Sequence, residues 1–195
     1  ARPGLYEFEE LTRVWPALRG ASYAPAKLGL LIPDATTWAS NPPDFFSQEG
    51  RPHVEALMER AGVPYMAVSA QWPKLDGLVA LLDDGRNDVL PAAARRAIAE
   101  WVKGGGTLIG YPWTGRFDAA GQQASLAAEL GVALDPGQRE AGRGKLFILD
   151  EPPTTEQHPA YPALMAALRD CGLRPAVKVT PPVAQAVFAR GGRTY

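Results

Sequence analysis

The sequence predicts an α/β fold, a three-layer sandwich in which a mostly parallel central sheet carries helices on both faces. Two observations point there. Short, continuously apolar runs, the pattern of strands buried on both faces, alternate along the chain with segments whose apolar residues recur at helical spacing. Glycine, proline or Asp-Gly punctuation separates one kind of segment from the other. Strands and helices that alternate in this way form right-handed βαβ units and a parallel sheet, which gives a flavodoxin-like or Rossmann-like architecture.

The elements follow in order. Glu7 to Leu18 places Phe8, Leu11, Val14, Trp15 and Leu18 at helical spacing before Gly20, and predicts a leading helix. Lys27 to Ile32 is the first core strand, stopped by Pro33. Pro52 to Ala61 sets Val54, Leu57, Met58 and Ala61 on one helical face ahead of Gly62. Tyr65 to Ala70 and Leu78 to Leu82 are the second and third strands, the latter running into Asp83, Asp84 and Gly85. Pro91 to Lys103 is the clearest helix, with Pro91 suited to a first turn and Gly104 to Gly106 as the stop. Thr107 to Tyr111 is the fourth strand, Ala124 to Leu130 a short helix closed by Gly131, and Lys145 to Leu149 the fifth strand. Tyr161 to Cys171 is a further helix, and Val177 to Thr180 and Val183 to Ala189 are β segments.

Bulk composition narrows the function classes. The 195 residues suit one domain with its own core, divided as a leading helix and linker (1–26), a core (27–180) and an exit strand (181–195) toward a further C-terminal domain. A net charge of −1 without a Lys/Arg-rich run argues against nucleic acid or an anionic membrane surface as partner. One cysteine and two histidines give neither a disulfide framework nor the usual zinc ligands, so no metal and no cofactor are expected. No apolar stretch approaches the roughly 20 residues of a membrane span, and the charged start from Glu7 to Arg13 does not read as a signal peptide. A soluble chain, cytoplasmic by default, is the expectation. The first residue is Ala1, not Met, which fits a fragment or a processed product.

Four segments together carry a family resemblance: "KLGLLIPDATTWA" from Lys27, then "GLVALLDD", "LPAAARRAIAEWVKGGGTLIGY" and "WTGRFDAAGQ". They resemble the trimerisation domain of family 42 beta-galactosidases, over most of the chain, through to "VTPPVAQAVFARGG". That domain is a class I glutamine amidotransferase-like sandwich attached to a catalytic TIM barrel. The resemblance implies a glycosidase whose catalytic carboxylates lie in a barrel outside this chain. It also implies a domain that serves self-association, as a trimer, and contacts with neighbouring domains. No catalytic residue carries over.

Candidate site residues belong to loops at the carboxyl ends of the strands, where open α/β sheets gather their chemistry. An amidotransferase nucleophile would sit on the tight turn after the fourth strand, but that turn reads Tyr111, Pro112, Trp113, Thr114, Gly115, with neither cysteine nor serine. Thr114 would need a base, and only His53 and His158 are available. The plainer reading makes Thr114 and Gly115 a turn. Cys171, on the apolar side of its helix, reads as a buried and unreactive thiol. Asp83 and Asp84 at a strand end, with Asp34, Asp44 and Asp118 on neighbouring loops, have the chemistry of an acid–base or metal site, although such residues more often cap helices and turns. Arg116 shares the loop of Thr114 and Asp118. Trp38, Trp72 and Trp113 fall on carboxyl-edge loops, where an exposed indole can stack on a carbohydrate or anchor a protein interface. Three readings therefore stand: a non-catalytic oligomerisation domain, a carbohydrate or small-ligand binding module using the tryptophans, and a diverged hydrolase of the amidotransferase-like or trehalose-utilisation-like group built on Asp83, Asp118 or Thr114.

Overall fold

The computed structural model describes residues 22–23, 26–33, 54–174, 188–190 and 193–194. Nine strands and four helices are present among them, in the order β1 (Ser22–Tyr23), β2 (Leu28–Ile32), α1 (Val54–Ala61), β3 (Tyr65–Ser69), β4 (Ala80–Asp83), α2 (Ala92–Lys103), β5 (Thr107–Gly110), α3 (Leu126–Leu130), β6 (Gly137–Ala141), β7 (Gly144–Ile148), α4 (Tyr161–Asp170), β8 (Phe188–Arg190) and β9 (Arg193–Thr194). The predicted leading helix Glu7 to Leu18, the β segment Val177 to Thr180 and Trp38 lie outside the described residues.

Six strands form one sheet in the order β3-β2-β4-β5-β7-β6, parallel except for β6, which runs antiparallel to β7. This is the α/β class that the alternating pattern predicts. Side chains on successive strand residues point to opposite faces, and both faces are apolar. On one face Leu31, Leu81, Leu108, Leu146 and Ile148 pack with Ile98, Ala99 and Val102 of α2 and with Leu126 and Leu130 of α3. On the other, Leu28, Leu30, Leu82, Ile109 and Phe147 meet Leu57 and Met58 of α1 and Leu164 and Leu168 of α4. Every residue of β4 and β5 is buried, which is why these central strands read as unbroken apolar runs.

The structure corrects several boundaries. The third strand begins at Ala80 and takes in Asp83, so the carboxylate is the last rung of the ladder, opposite Leu31. Pro91 sits just before α2 with φ −57°, and Ser125 caps α3 by accepting from the Ala128 N–H. An additional strand, β6, lies outside the predicted elements: its sequence GQREA is mostly exposed and polar, with only Ala141 buried, and a tight turn at Gly142 and Arg143 folds it back on β7. The segment predicted as Val183 to Ala189 is a strand at Phe188–Arg190, but it belongs to a separate three-stranded antiparallel sheet, between β1 and β9.

Candidate functional site

The carboxyl ends of β2, β3, β4, β5 and β7 lie along one edge of the sheet, because these strands are parallel. From β2 the chain moves outward to β3 and then returns to β4 on the other side, so the strand order reverses between β2 and β4. In open α/β sheets this reversal is where ligands enter. Here a hydrogen-bond network of buried polar side chains occupies it.

Asp83 is the centre of that network and is fully buried. Its Oδ1 accepts from the Gly85 N–H at 2.8 Å and from Asn87 Nδ2 at 2.8 Å, and its Oδ2 accepts from Thr114 Oγ1 at 2.5 Å. Thr114, 1% exposed, also accepts the Tyr111 N–H at 2.9 Å. Asn87 donates in addition to the Leu31 carbonyl at 2.9 Å and to Asp84 Oδ1 at 3.1 Å, so one amide ties together the end of β2 and both carboxylates. Asp84, buried like its neighbour, accepts from the Arg86 N–H at 2.9 Å and from Arg86 Nε at 2.7 Å, with a second guanidinium contact through Nη2. Arg86 Nη2 reaches on to Glu55 Oε1 of α1 at 3.2 Å.

Two carboxylates, Asp84 and Glu55, thus share the Arg86 guanidinium while Asp83 has none in contact, and the electrostatics follow. Burial pushes the Asp83 carboxyl up from its ordinary value against the pull of Thr114 and Asn87. Burial, and then the adjacent Asp83 charge, push Asp84 up to about 7 despite Arg86. Burial also raises the Tyr111 hydroxyl, with Asp83 and Asp84 adding to the effect. Its oxygen and Asn87 Oδ1 are buried without a hydrogen-bond partner. The Asp83–Thr114 contact suits either protonation state, because a hydroxyl can donate to a carboxylate or accept from a carboxylic acid.

The other predicted residues divide clearly. Trp113 belongs with the network, since its Nε1 donates to the Gly85 carbonyl at 3.0 Å and its ring stacks on Tyr111 with centroids 5.3 Å apart. Asp118 organises its own loop by accepting from the N–H groups of Ala120 and Gln122, each at 2.9 Å. Arg116 lies over the Phe117 ring at 4.8 Å. Trp72, following β3, is 71% exposed. Cys171 is half-buried and not fully enclosed as expected, and desolvation raises its thiol pKa, the opposite of an activated nucleophile. Glu55, Arg86, Asn87 and Tyr111 escaped sequence reasoning; the run Asp83-Asp84-Gly85-Arg86-Asn87 held the signal for two of them.

Chemically, the network is an internal brace. Thr114 lies on the turn after β5, its hydroxyl enclosed between a carboxylate and a backbone N–H, and among the described residues no histidine makes a hydrogen bond to it; His158 instead contacts Glu151 at 3.5 Å and bonds the Ala160 N–H, and His53 lies outside the described residues. Among the described residues no group of three or more His, Cys, Asp or Glu side chains converges as a metal site would. A groove of about 440 Å³ lies elsewhere, where Ala163 and Ala167 of α4 face Phe147 and Leu149 and where Asp150, Glu151 and Asp170 supply carboxylates; it includes none of the predicted residues. No helix of the described residues is long and apolar enough to cross a membrane.

The fold and its filled switch point define a class of α/β sandwich domain, and solved structures with the same architecture exist. Three are family 42 (GH42) beta-galactosidases: a catalytic mutant of Gan42B from G. stearothermophilus at 14% identity and TM-score 0.66, the enzyme from Bacillus circulans sp. alkalophilus at 12% and 0.69, and the enzyme from Rahnella sp. R3 at 14% and 0.68. The alignments cover 94%, 95% and 95% of this chain but only 36%, 37% and 38% of those chains, so this chain spans little more than a third of the proteins it matches. At such identity the likeness is one of fold. No protein-family model matches the chain, and no curated protein matches it.

Proposed function

We propose that this chain is a non-catalytic assembly domain of a glycoside-hydrolase-like, multidomain protein, one that associates with its own copies and with neighbouring domains. The observation that carries the reading is the coverage: nearly all of this chain superposes on about a third of beta-galactosidases, leaving the larger part of those proteins without a counterpart here. The turn after β5 supports it. Thr114 is buried and its hydroxyl is committed to Asp83 and Tyr111, so the position that an amidotransferase-like enzyme gives to its nucleophile serves as a brace. Self-association, a trimer in the resembled family, is the partnership that follows from this reading.

The test has two parts. Incubated with chromogenic aryl β-galactosides and with glutamine, the chain is expected to give no turnover above buffer, and sedimentation velocity is expected to show a species larger than the monomer. Turnover that disappears in Thr114→Ala or Asp118→Ala would establish the diverged-hydrolase reading instead, and a monomer at every concentration would remove the assembly role.

One observation favours a second reading. Trp72 presents its indole to solvent, as a carbohydrate platform requires, whereas Trp113 is engaged by Gly85 and Tyr111. Calorimetry against a panel of galactosides, with Trp72→Ala as the control, decides it: binding heat lost in the variant supports a carbohydrate site, and absence of heat in both ends that proposal.

A further inference from the structure

The chain leaves β7 at Ile148, enters α4 at Tyr161 on the carboxyl edge of the sheet, and runs back until Cys171 bonds Thr107, the first residue of β5. Between α4 and the β6–β7 edge lies the groove of about 440 Å³, a volume within the range of small-molecule sites. Phe147 and Leu149 are its floor. Its helical wall is Ala163, Ala166 and Ala167, whose side chains are too short to close it. Charge in the groove has one sign. Asp150 and Glu151 lie at the carboxyl-edge end, Asp170 lies at the last residue of α4, and among the described residues no lysine or arginine lines the groove. Neither Asp150 nor Asp170 makes an ion pair among the described residues, and Glu151 Oε1 has His158 Nε2 at 3.5 Å. Lys145, on the same face of β7 as Phe147, stands opposite Glu140 and outside the lining. The ten residues of α4 set the two acidic ends apart by about 15 Å.

We propose that this groove binds a linear aliphatic diamine or polyamine, its methylene chain on the apolar floor and an ammonium group at each acidic end. Such binding needs neither a second copy of the chain nor a neighbouring domain. Charge and shape together select the occupant. Three carboxylates without a lining cation repel an anion and attract a cation. Carboxylates at opposite ends cannot close around one small ion, and among the described residues no three acidic side chains converge. A cation carried at both ends of a long apolar body meets both conditions. Its methylenes leave water for Phe147, Leu149 and the alanine wall, and each ammonium donates charge-assisted hydrogen bonds to carboxylate oxygens. The apolar floor keeps water from one side of those contacts, which strengthens them relative to an open surface. Length follows as well. A hydrogen bond of about 2.8 Å at each end leaves roughly 10 Å between the two nitrogens. A fully extended chain covers about 3.3–3.6 Å in three bonds, so about nine bonds fit, the separation of the terminal nitrogens in spermidine and in 1,8-diaminooctane.

Titration calorimetry of the 195-residue chain with 1,8-diaminooctane tests this, beside n-octylamine, which has one ammonium, 1,4-diaminobutane, which is too short, and neutral 1,8-octanediol. The expected result is binding of the long diamine, weaker binding of the two other amines and none of the diol. Asp170→Asn and Asp150→Asn/Glu151→Gln should each raise the dissociation constant about two- to fivefold, as loss of one exposed ion pair does. Glu100→Gln, which removes an exposed carboxylate from α2 on the opposite face of the sheet, should leave it unchanged. Ala166→Arg or Ala163→Arg places the protein's own cation in the groove and should abolish binding. Both alanines are exposed on a helix that arginine suits, so far-UV circular dichroism should keep its wild-type form; should one variant unfold, the other still decides. Absence of heat with the diamine overturns the site. Octylamine or octanediol bound as tightly as the diamine overturns the two-ended mode, and equal weakening by Glu100→Gln reduces the binding to diffuse charge attraction and overturns the groove. None of these outcomes depends on whether the chain self-associates.

Discussion

Thr114 connects two strand ends through a single hydroxyl. It accepts the Tyr111 N–H and bonds Asp83 Oδ2, so Thr114→Ala leaves a buried donor and a buried carboxylate oxygen unmatched. The expected cost is about 1–3 kcal/mol in urea unfolding, largely restored in Thr114→Ser, which keeps the hydroxyl. The adjacent carboxylates give a pH dependence whose sign is set by their raised pKa values. In the unfolded chain an aspartate loses its proton near pH 4, whereas Asp84 in the folded chain holds its proton to about 7, and Asp83 is shifted the same way. Between those limits the folded state binds more protons, so the stability contributed by this pair is complete below about pH 4 and falls as pH rises toward 7. Urea midpoints measured across that window should show this fall, and Asp84→Asn should flatten it. A slope identical in wild type and variant would place the proton elsewhere. The sequence showed two aspartates beside each other at a strand end. Burial makes them a proton-holding pair, and no local pattern reports burial.

Among the elements, the β6–β7 hairpin shows most plainly how tertiary contact decides local structure. Gly144 opens β7 against the end of α2, and a Cβ there would fall 1.9 Å from the Val102 carbonyl oxygen and 2.3 Å from that of Gly106. Backbone on both sides cannot yield, so Gly144→Ala is expected to destabilise by several kcal/mol, at the upper end of what overpacking costs. Gly131, the left-handed cap of α3, has φ 77° and open space around its Cβ position, so Gly131→Ala should cost only about 1–2 kcal/mol of backbone strain. Thermal unfolding of the two variants gives the comparison, and equal losses would contradict the close approach. The same contrast explains which elements were legible. α2 shows itself through Ala94, Ile98 and Val102 on one face and a Gly stop, and the central strands through unbroken apolar runs. β6 has neither, since a polar edge strand borrows its order from its neighbour.

At the scale of the molecule, the α/β class follows from sequence because periodicity and burial are the same fact seen twice. A strand covered on both faces must be apolar throughout, and a helix covering it must be apolar along one stripe. Those patterns are local, and they located each core strand to within a residue or two, as the first strand shows: Lys27 to Ile32 in expectation, Leu28–Ile32 in the structure. They also placed Asp83, Asp84, Trp113 and Thr114 on the carboxyl edge. Strand order is not local. That β2 stands between β3 and β4, so that Asn87 can reach the Leu31 carbonyl and both aspartates, depends on which strands pair across long stretches of chain. Sequence by itself therefore determined the class of fold and the absence of cysteine or serine from the turn after β5. Only the tertiary structure decided that Thr114 braces that turn and that the acidic pair is sealed inside, because each depends on what lies across a gap that no stretch of sequence spans.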